Sequence, residues 1–157
     1  MTIIFPQKFH FLALMLLLLC ACNYPAPSDR IYQQRSPYNY DDTVLNLDIA
    51  ISEHNYRIIH RSQIGQAIRQ RGEKAYPLSV VVNFCNITYA KEMLDINPAL
   101  INDMPCTITV RQDKGDVIVG TRLMNEQSLN ARQNAFAKRI NDDCARLLRR
   151  PLNRPPR

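Results

Sequence analysis

The order of apolar and polar positions between residues 43 and 150 predicts helices interleaved with strands. The first segment, 43–55, places apolar side chains at helical spacing, although positions 45–49 also alternate as a strand would. The β-branched run "LSVVVNF" at 78–84 is typical of a buried central strand. Similar patterns predict helices at 62–71, 87–96 and 126–150, and further strands at 56–60, 107–111 and 117–123.

Capping and turn residues mark the ends of these segments. Asp41-Asp42 and Ser62 are expected to cap the first two helices, and Asn55 supplies a left-handed stop to the first. The sequence "DKGD" at 113–116 predicts a hairpin between the last two strands. Pro151 is expected to end the last helix, whose buried stripe comprises Leu129, Phe136, Ile140, Ala145, Leu147 and Leu148.

These segments predict one small α+β domain over residues 43–150. We expect a four-stranded sheet, mixed or mostly antiparallel, with helices packed on it and a long C-terminal helix. Residues 23–42 are polar and rich in tyrosine and proline, which favours a flexible tether after Cys22. Residues 151–157 form a basic Pro/Arg tail, for which a solvated, disordered end is the simplest interpretation.

The first 21 residues are typical of a secretory signal. One lysine precedes an apolar run of roughly a dozen residues, whereas a spanning helix needs about 20. The junction "LCAC" at 19–22 resembles the lipobox of bacterial lipoproteins. Cys20 does not fit this pattern because Leu19 precedes it, whereas Cys22 follows the small residue Ala21. The sequence therefore predicts cleavage after residue 21 and lipidation of Cys22.

The resemblance to lipoproteins implies a membrane-anchored protein. Cys22 would carry a diacylglycerol thioether and an N-terminal acyl chain such as palmitate, and several acyl chains give stable anchoring. Asn23, rather than aspartate, follows the cysteine, and this favours the outer membrane. The expected localisation is the cell outer membrane, with the domain facing the periplasm. Membrane lipid is the expected partner of the acylated Cys22.

A family resemblance rests on five pieces in a fixed order: "AISEHNYRIIH", "IGQAIRQRG", "VVNFCN", "AKEMLDINPALINDMPC" and "ITVRQDKGDVIVGTRL". In this order and spacing they resemble the domain-of-unknown-function family 302, over about residues 44–124. The chain departs from the family pattern at two positions. Asn55 stands where family members usually have glycine, and Ile87 stands where proline often follows the asparagine of the Cys-Asn pair. The resemblance implies a small α+β fold, allows a homodimer, and carries no established activity.

Composition argues against several functions. The chain has 20 basic and 14 acidic residues, a net charge of +6. Basic charge can attract nucleic acid, but the predicted localisation at the outer membrane disfavours nucleic acid as a partner. No serine and aspartate lie at triad spacing from His54, at a predicted helix end, or from His60. Asp142-Asp143 is expected to be a solvated pair. The sequence contains no glycine-rich phosphate loop. The sequence therefore indicates neither an enzyme nor a cofactor.

The cysteines are the stronger indication of a site. Cys85-Asn86 ends one predicted strand and Pro105-Cys106 precedes the next, so these four residues can face a common cleft. If the strands are antiparallel neighbours, Cys85 and Cys106 can form a disulfide; a right-handed crossover would place them at opposite ends. Cys144 is expected to be buried and unpaired. No Cys-x-x-Cys spacing is present, so no metal site is predicted, although zinc would be conceivable with an added histidine.

Three functional hypotheses follow. The first is a lipid-anchored module that binds a small ligand or an envelope protein in the cleft around Cys85, Asn86, Pro105 and Cys106. The second is a thiol redox protein that uses Cys85 and Cys106. The third is a structural envelope component whose basic tail contacts anionic lipid or cell-wall polymer.

Overall fold

The structure is a computed structural model that describes residues 30–152. Its strands form a single five-stranded sheet in the order β1-β5-β4-β3-β2, and every neighbouring pair is antiparallel. The strands are β1 (Ile31–Ser36), β2 (Arg57–Ser62), β3 (Ser79–Cys85), β4 (Cys106–Asp113) and β5 (Asp116–Arg122). The predicted α+β class is therefore confirmed, but the sheet has five strands rather than four and contains no parallel pair.

Within residues 30–152, four α-helices and one short 3-10 helix connect and cover these strands. They are α1 (Tyr40–Glu53), α2 (Ile64–Gln70), α3 (Ile87–Ile96), the 3-10 helix Pro98–Asp103 and α4 (Ala131–Leu152). The long C-terminal helix is confirmed. Among the described residues, no helix is both long enough and apolar enough to cross a membrane.

The core lies between one face of the sheet and helices α1 and α4. Val80, Val82 and Phe84 of β3 point to this face, where they join Leu47 of α1 and Leu147 of α4 in one buried cluster. The intervening residues of β3 are only partly buried, as the period-two alternation of a strand requires. The alternation therefore assigns the residues of β3 in turn to the buried face and to the outer face of the sheet.

The extra strand comes from the segment that the sequence predicted to be a tether. Residues 31–36 pair along β5, and the hydroxyl groups of Ser36 and Thr43 are hydrogen-bonded at 2.7 Å in the buried region. Helix α1 starts at Tyr40, where Asn39 rather than Asp41-Asp42 is the cap, because its side chain accepts from the backbone N–H of Asp42. The predicted tether over 23–42 is therefore wrong from residue 31 onward.

Several element ends also differ from the prediction. Ser62 ends β2 and does not cap α2, which begins after Gln63. Helix α4 begins at Ala131, five residues later than predicted, and it continues past Pro151 to Leu152. Leu129 lies outside the helix and is fully exposed, so its predicted place in the buried stripe is wrong.

The predicted turns fit the structure more closely. Asn55 has a φ of 61°, the left-handed conformation expected where α1 stops. Lys114 and Gly115 also have positive φ values, and Asp113 pairs with Asp116 across the hairpin. This backbone twist matches that of the flanking strands and fixes the register of β4 against β5.

Candidate functional site

A cleft of about 420 Å³ opens at the end of the sheet where β4 begins. Pairing of β4 with β5 starts only at Ile108, opposite Thr121, so the first two residues of β4 have no partner in the β5 ladder. The other walls are the end of the 3-10 helix, the segment after β5 and one side of α4. We call this space the sulfur cleft, because Met104, Cys106, Met124 and Cys144 all border it.

Sulfur side chains are concentrated in this part of the molecule. A second, much smaller gap of about 30 Å³ shares Met104, Cys106 and Met124 with the sulfur cleft and adds Cys85 and Met93. Every cysteine and methionine within residues 30–152 therefore borders one of these two neighbouring spaces. Neither His54 nor His60 borders them.

Strand alternation and helical spacing bring two thiols together here. Cys106 lies opposite Phe84 on β3, and it shares the buried face of β4 with Ile108. Cys144 lies one helical turn after Ile140 on the buried face of α4, with only 3% of its surface exposed. The two side chains are close enough for each thiol to shift the pKa of the other.

The interaction affects the two thiols unequally. Donation from the Cys144 thiol stabilises a thiolate on Cys106, so the pKa of Cys106 is lowered despite the burial of its side chain. Interaction with Cys106, together with burial and the negative charge of Asp143, raises the pKa of Cys144. Because the thiolate is the form that attacks electrophiles and binds metals, the lowered pKa favours Cys106 as the reacting thiol.

A buried carboxylate lies beside the thiol pair. Asp143 is 9% exposed, accepts a hydrogen bond from the Tyr56 hydroxyl at 3.4 Å and forms an ion pair with Arg146. Burial is the main reason that the pKa of Tyr56 is raised, with Cys144 and Asp143 adding to the effect. The prediction that Asp142-Asp143 is a solvated pair is therefore wrong for Asp143, while Asp142 is exposed.

Asn141 fixes the chain segment that carries Met124. Its side-chain oxygen accepts from the backbone N–H of Met124 at 2.7 Å. Its amide group donates to the Met124 carbonyl at 3.1 Å and to the Glu126 carboxylate at 2.7 Å. Asn141 is only 7% exposed, so these bonds satisfy a buried amide and hold one wall of the sulfur cleft.

The structure brings three of the four predicted cleft residues, Cys85, Asn86 and Cys106, to the smaller gap, and Cys106 also borders the sulfur cleft with Pro105. Pro105 follows a cis peptide bond and borders the sulfur cleft with Cys106. Asn86 borders the smaller gap and caps α3 by accepting from the backbone N–H groups of Thr88 and Tyr89. Cys85 also borders the smaller gap, and it is partly buried, whereas the preceding Phe84 is fully buried in the core.

The structure places the three cysteines near one another. Strands β3 and β4 are antiparallel neighbours, as the disulfide hypothesis required, and the parallel crossover is excluded. All three cysteines are free thiols, and Cys106 borders the sulfur cleft with Cys144 and the smaller gap with Cys85. Cys144 is buried as expected, but it is not isolated. Burial and the nearby Cys106 raise the pKa of Cys85.

The structure also bears on metal and lipid sites. Within residues 30–152, no three His, Cys, Asp or Glu side chains are grouped so that they could hold a metal ion. His54 ends α1, where a ring nitrogen is 2.8 Å from the Ala50 carbonyl oxygen, and His60 bonds Ser62. Cys22, the predicted lipidation site, and residues 153–157 of the basic tail lie outside the described residues.

Sequence reasoning missed Cys144, Met104, Met124 and Asn141 as site residues. A signal for Cys144 was present, because it lies at helical spacing from Ile140 and Leu148 on the predicted buried stripe. Cys106 likewise alternates in phase with Ile108 and Val110. Together these two patterns place both thiols on the core side of the fold, whereas Cys85 falls out of phase with Phe84.

Comparison with known proteins identifies the family. A crystal structure described as an uncharacterized conserved protein DUF302 from Bacillus stearothermophilus matches with a TM-score of 0.68 and 16% sequence identity. The match covers 77% of this chain and 97% of that one. No curated protein matches the chain. Residues 32–154, most of the sequence, match the family described as Domain of unknown function DUF302. The chain therefore belongs to the DUF302 family.

Proposed function

We propose that this protein is a lipoprotein whose α+β domain binds a small ligand in the sulfur cleft. The observation that carries the proposal is the cleft itself, an opening of about 420 Å³ whose lining includes Cys106, Thr121 and Asn141. A volume of this size is typical of small-molecule sites, where a few fixed polar groups sit among apolar walls.

Acylation of Cys22 would anchor the domain at the bacterial outer membrane, facing the periplasm. The support is the lipobox-like sequence at 19–22 and Asn23 after it. A domain of this kind needs no membrane-spanning helix of its own, since several acyl chains give stable attachment. The partners are thus membrane lipid at Cys22 and a small ligand in the cleft, while a segment of an envelope protein is the alternative occupant.

A pair of matched substitutions tests binding in the cleft. Leu123 is half-buried and borders the sulfur cleft, so Leu123→Trp should fill it without removing a side-chain hydrogen bond. Leu129→Trp makes the same change at a fully exposed site. The full chain would be released from its own envelope in mild detergent and weighed by native mass spectrometry. We expect a bound small molecule or ion on the wild type and on Leu129→Trp, and its loss on Leu123→Trp. A ligand-free wild type, or an adduct that persists on Leu123→Trp, would contradict the proposal.

Thiol redox chemistry is a second candidate, and the contact between Cys106 and Cys144 favours it. Formation of their disulfide would release two protons and two electrons, which an oxidised disulfide partner accepts by thiol–disulfide exchange. The protein would be equilibrated in glutathione buffers, quenched by alkylation and mapped by peptide mass spectrometry. A Cys106–Cys144 bond whose oxidised fraction follows the buffer ratio supports this function. Free labelling of both residues at every ratio, or a bond to Cys85, argues against it.

A further inference from the structure

The sulfur cleft presents a donor set of one chemical kind. Two thiols, of Cys106 and Cys144, and two thioethers, of Met104 and Met124, border the same opening. The two thiols border this opening together, although they come from a strand and a helix. Neither described histidine reaches the cleft, so imidazole nitrogen is missing from its lining.

Core packing alone does not account for this arrangement. Met93 is 4% exposed and packs in the core, as methionine often does in irregular gaps. Met104, Met124 and Cys106 are instead only partly buried at the edge of the core, where the cleft opens. These three sulfur side chains are therefore accessible from solvent while Cys144 forms the floor behind them.

We propose that the sulfur cleft is a binding site for a soft monovalent metal ion, Cu(I), held by Cys106, Cys144 and the thioethers of Met104 and Met124. This inference rests on the proposed function, since it names the ligand of the same cleft. Thiolate and thioether sulfur are soft donors that select Cu(I), whereas zinc in proteins typically takes four thiolate, imidazole or carboxylate ligands. Only two of the four groups here can become anionic.

Binding would exchange thiol protons for the metal ion. Cu(I) keeps its oxidation state, the S–H protons of the ligating cysteines pass to solvent, and metal–sulfur bonds replace the S–H bonds. Asn141 holds the backbone of Met124 through two hydrogen bonds, so the segment that carries this thioether is fixed at the cleft. Asp143 is already paired with Arg146 beside the site.

Competition with a chromogenic Cu(I) chelator, bicinchoninate, tests the site. The reduced full chain would be titrated without oxygen, and we expect it to withdraw one equivalent of Cu(I). Cys106→Ala and Cys144→Ala should abolish this competition. Met104→Leu and Met124→Leu preserve side-chain size and should weaken binding by roughly tenfold or more, as loss of supporting groups at metal sites does.

Two matched variants serve as controls. Cys85→Ala removes a thiol that borders the smaller gap but not the sulfur cleft, and Met93→Leu alters the buried methionine of the smaller gap. Both should bind Cu(I) as the wild type does. Cu X-ray absorption should detect sulfur neighbours alone, and circular dichroism melting would establish that each variant is folded.

Failure of this inference can be distinguished from failure of the proposed function. A wild type that cannot compete with bicinchoninate, or folded methionine variants with unchanged affinity, would overturn the Cu(I) assignment. Nitrogen or oxygen neighbours in the absorption spectrum would do so as well. In each case an organic adduct that Leu123→Trp removes would leave the proposed ligand-binding function standing.

Discussion

Cys106 on β4 and Cys144 on α4 border the same cleft, so a strand and a helix distant in sequence bring two thiols to one chemical site. Each residue occupies the buried face of its own element, and their proximity follows from the way α4 crosses the sheet. The interaction lowers the pKa of Cys106 and raises the pKa of Cys144.

Removal of the donor should raise the pKa of Cys106. In Cys144→Ala no hydrogen bond stabilises the Cys106 thiolate, so alkylation of Cys106 should reach half its maximal rate at a higher pH. Cys144→Ser retains a donor and should shift the profile less. Mass spectrometry after timed iodoacetamide labelling from pH 5 to 10 would measure this. In the wild type, Cys85 should label at higher pH than Cys106. Identical profiles for the alanine and serine variants would refute the role of the bond.

Asn141→Leu should destabilise the wall that carries Met124. Leucine has a similar volume but leaves the backbone N–H and carbonyl groups of Met124 without their partner, at a cost of about 1–3 kcal/mol. Urea unfolding would measure the loss, and hydrogen exchange at the Met124 amide should accelerate. Asp142→Ala, at an exposed neighbour paired with Lys138, should change stability by less than about 0.5 kcal/mol. Equal effects of the two substitutions would mean that Asn141 does not hold the segment.

Deletion of β1 should weaken the whole domain. A chain that starts at Tyr38 loses the pairing of 31–36 with β5 and the buried bond between Ser36 and Thr43. Each net hydrogen bond contributes about 1 kcal/mol, so the melting temperature should fall clearly. A chain that starts at Asp29 keeps the strand and should melt as the full mature chain does. If both shortened chains melt alike, β1 contributes nothing to stability.

Gly65→Ala should disrupt the contact between α2 and the chain entering β3. An added Cβ would lie 2.5 Å from the backbone nitrogen of Ser79 and 2.8 Å from the Leu78 Cα. Backbone atoms cannot rotate away as side chains do, so we expect a loss of about 1–3 kcal/mol in denaturant unfolding. Gln66→Ala, on an exposed position of the same helix, is the control and should be nearly neutral. An unchanged midpoint for Gly65→Ala would contradict this close approach.

The lipid anchor has its own test in two neighbouring cysteines. Cys22→Ser should abolish incorporation of a labelled fatty acid and leave a soluble or unprocessed precursor, because the lipobox-like sequence ends at Cys22. Cys20→Ser should label as the wild type does. Label retained on the Cys22→Ser protein would rule out this site.

Much of the fold follows from local patterns, and β1 shows where they fail. The sequence "IYQQRS" has no apolar alternation, because its core-facing positions carry Tyr32, Gln34 and Ser36. An edge strand held by backbone pairing to one neighbour needs little hydrophobic surface, so periodicity could not reveal it. By contrast, α3 was predicted exactly, since its apolar spacing and Asn97-Pro98 boundary are local signals.

The site was predictable only in part, for a related reason. Pro105 and Cys106 were identified because the order of predicted strands brought them to one edge. The remaining residues of the cleft lie on α4 and after β5, and their contact depends on how the helix crosses the sheet. Neither helical spacing nor strand alternation specifies that crossing, so Cys144 was correctly predicted to be buried without its partner being found.

The first residue of β1, Ile31, borders the sulfur cleft. Cys22 precedes it by only nine positions, and an extended chain spans at most about 3.5 Å per residue. With Cys22 acylated as proposed, Ile31 at the edge of the opening stays within roughly 30 Å of the bilayer. A ligand carried by a donor at the membrane surface would then encounter the cleft at an effective concentration that this short tether sets. That concentration is on the order of millimolar and differs from the concentration of the ligand in the surrounding fluid.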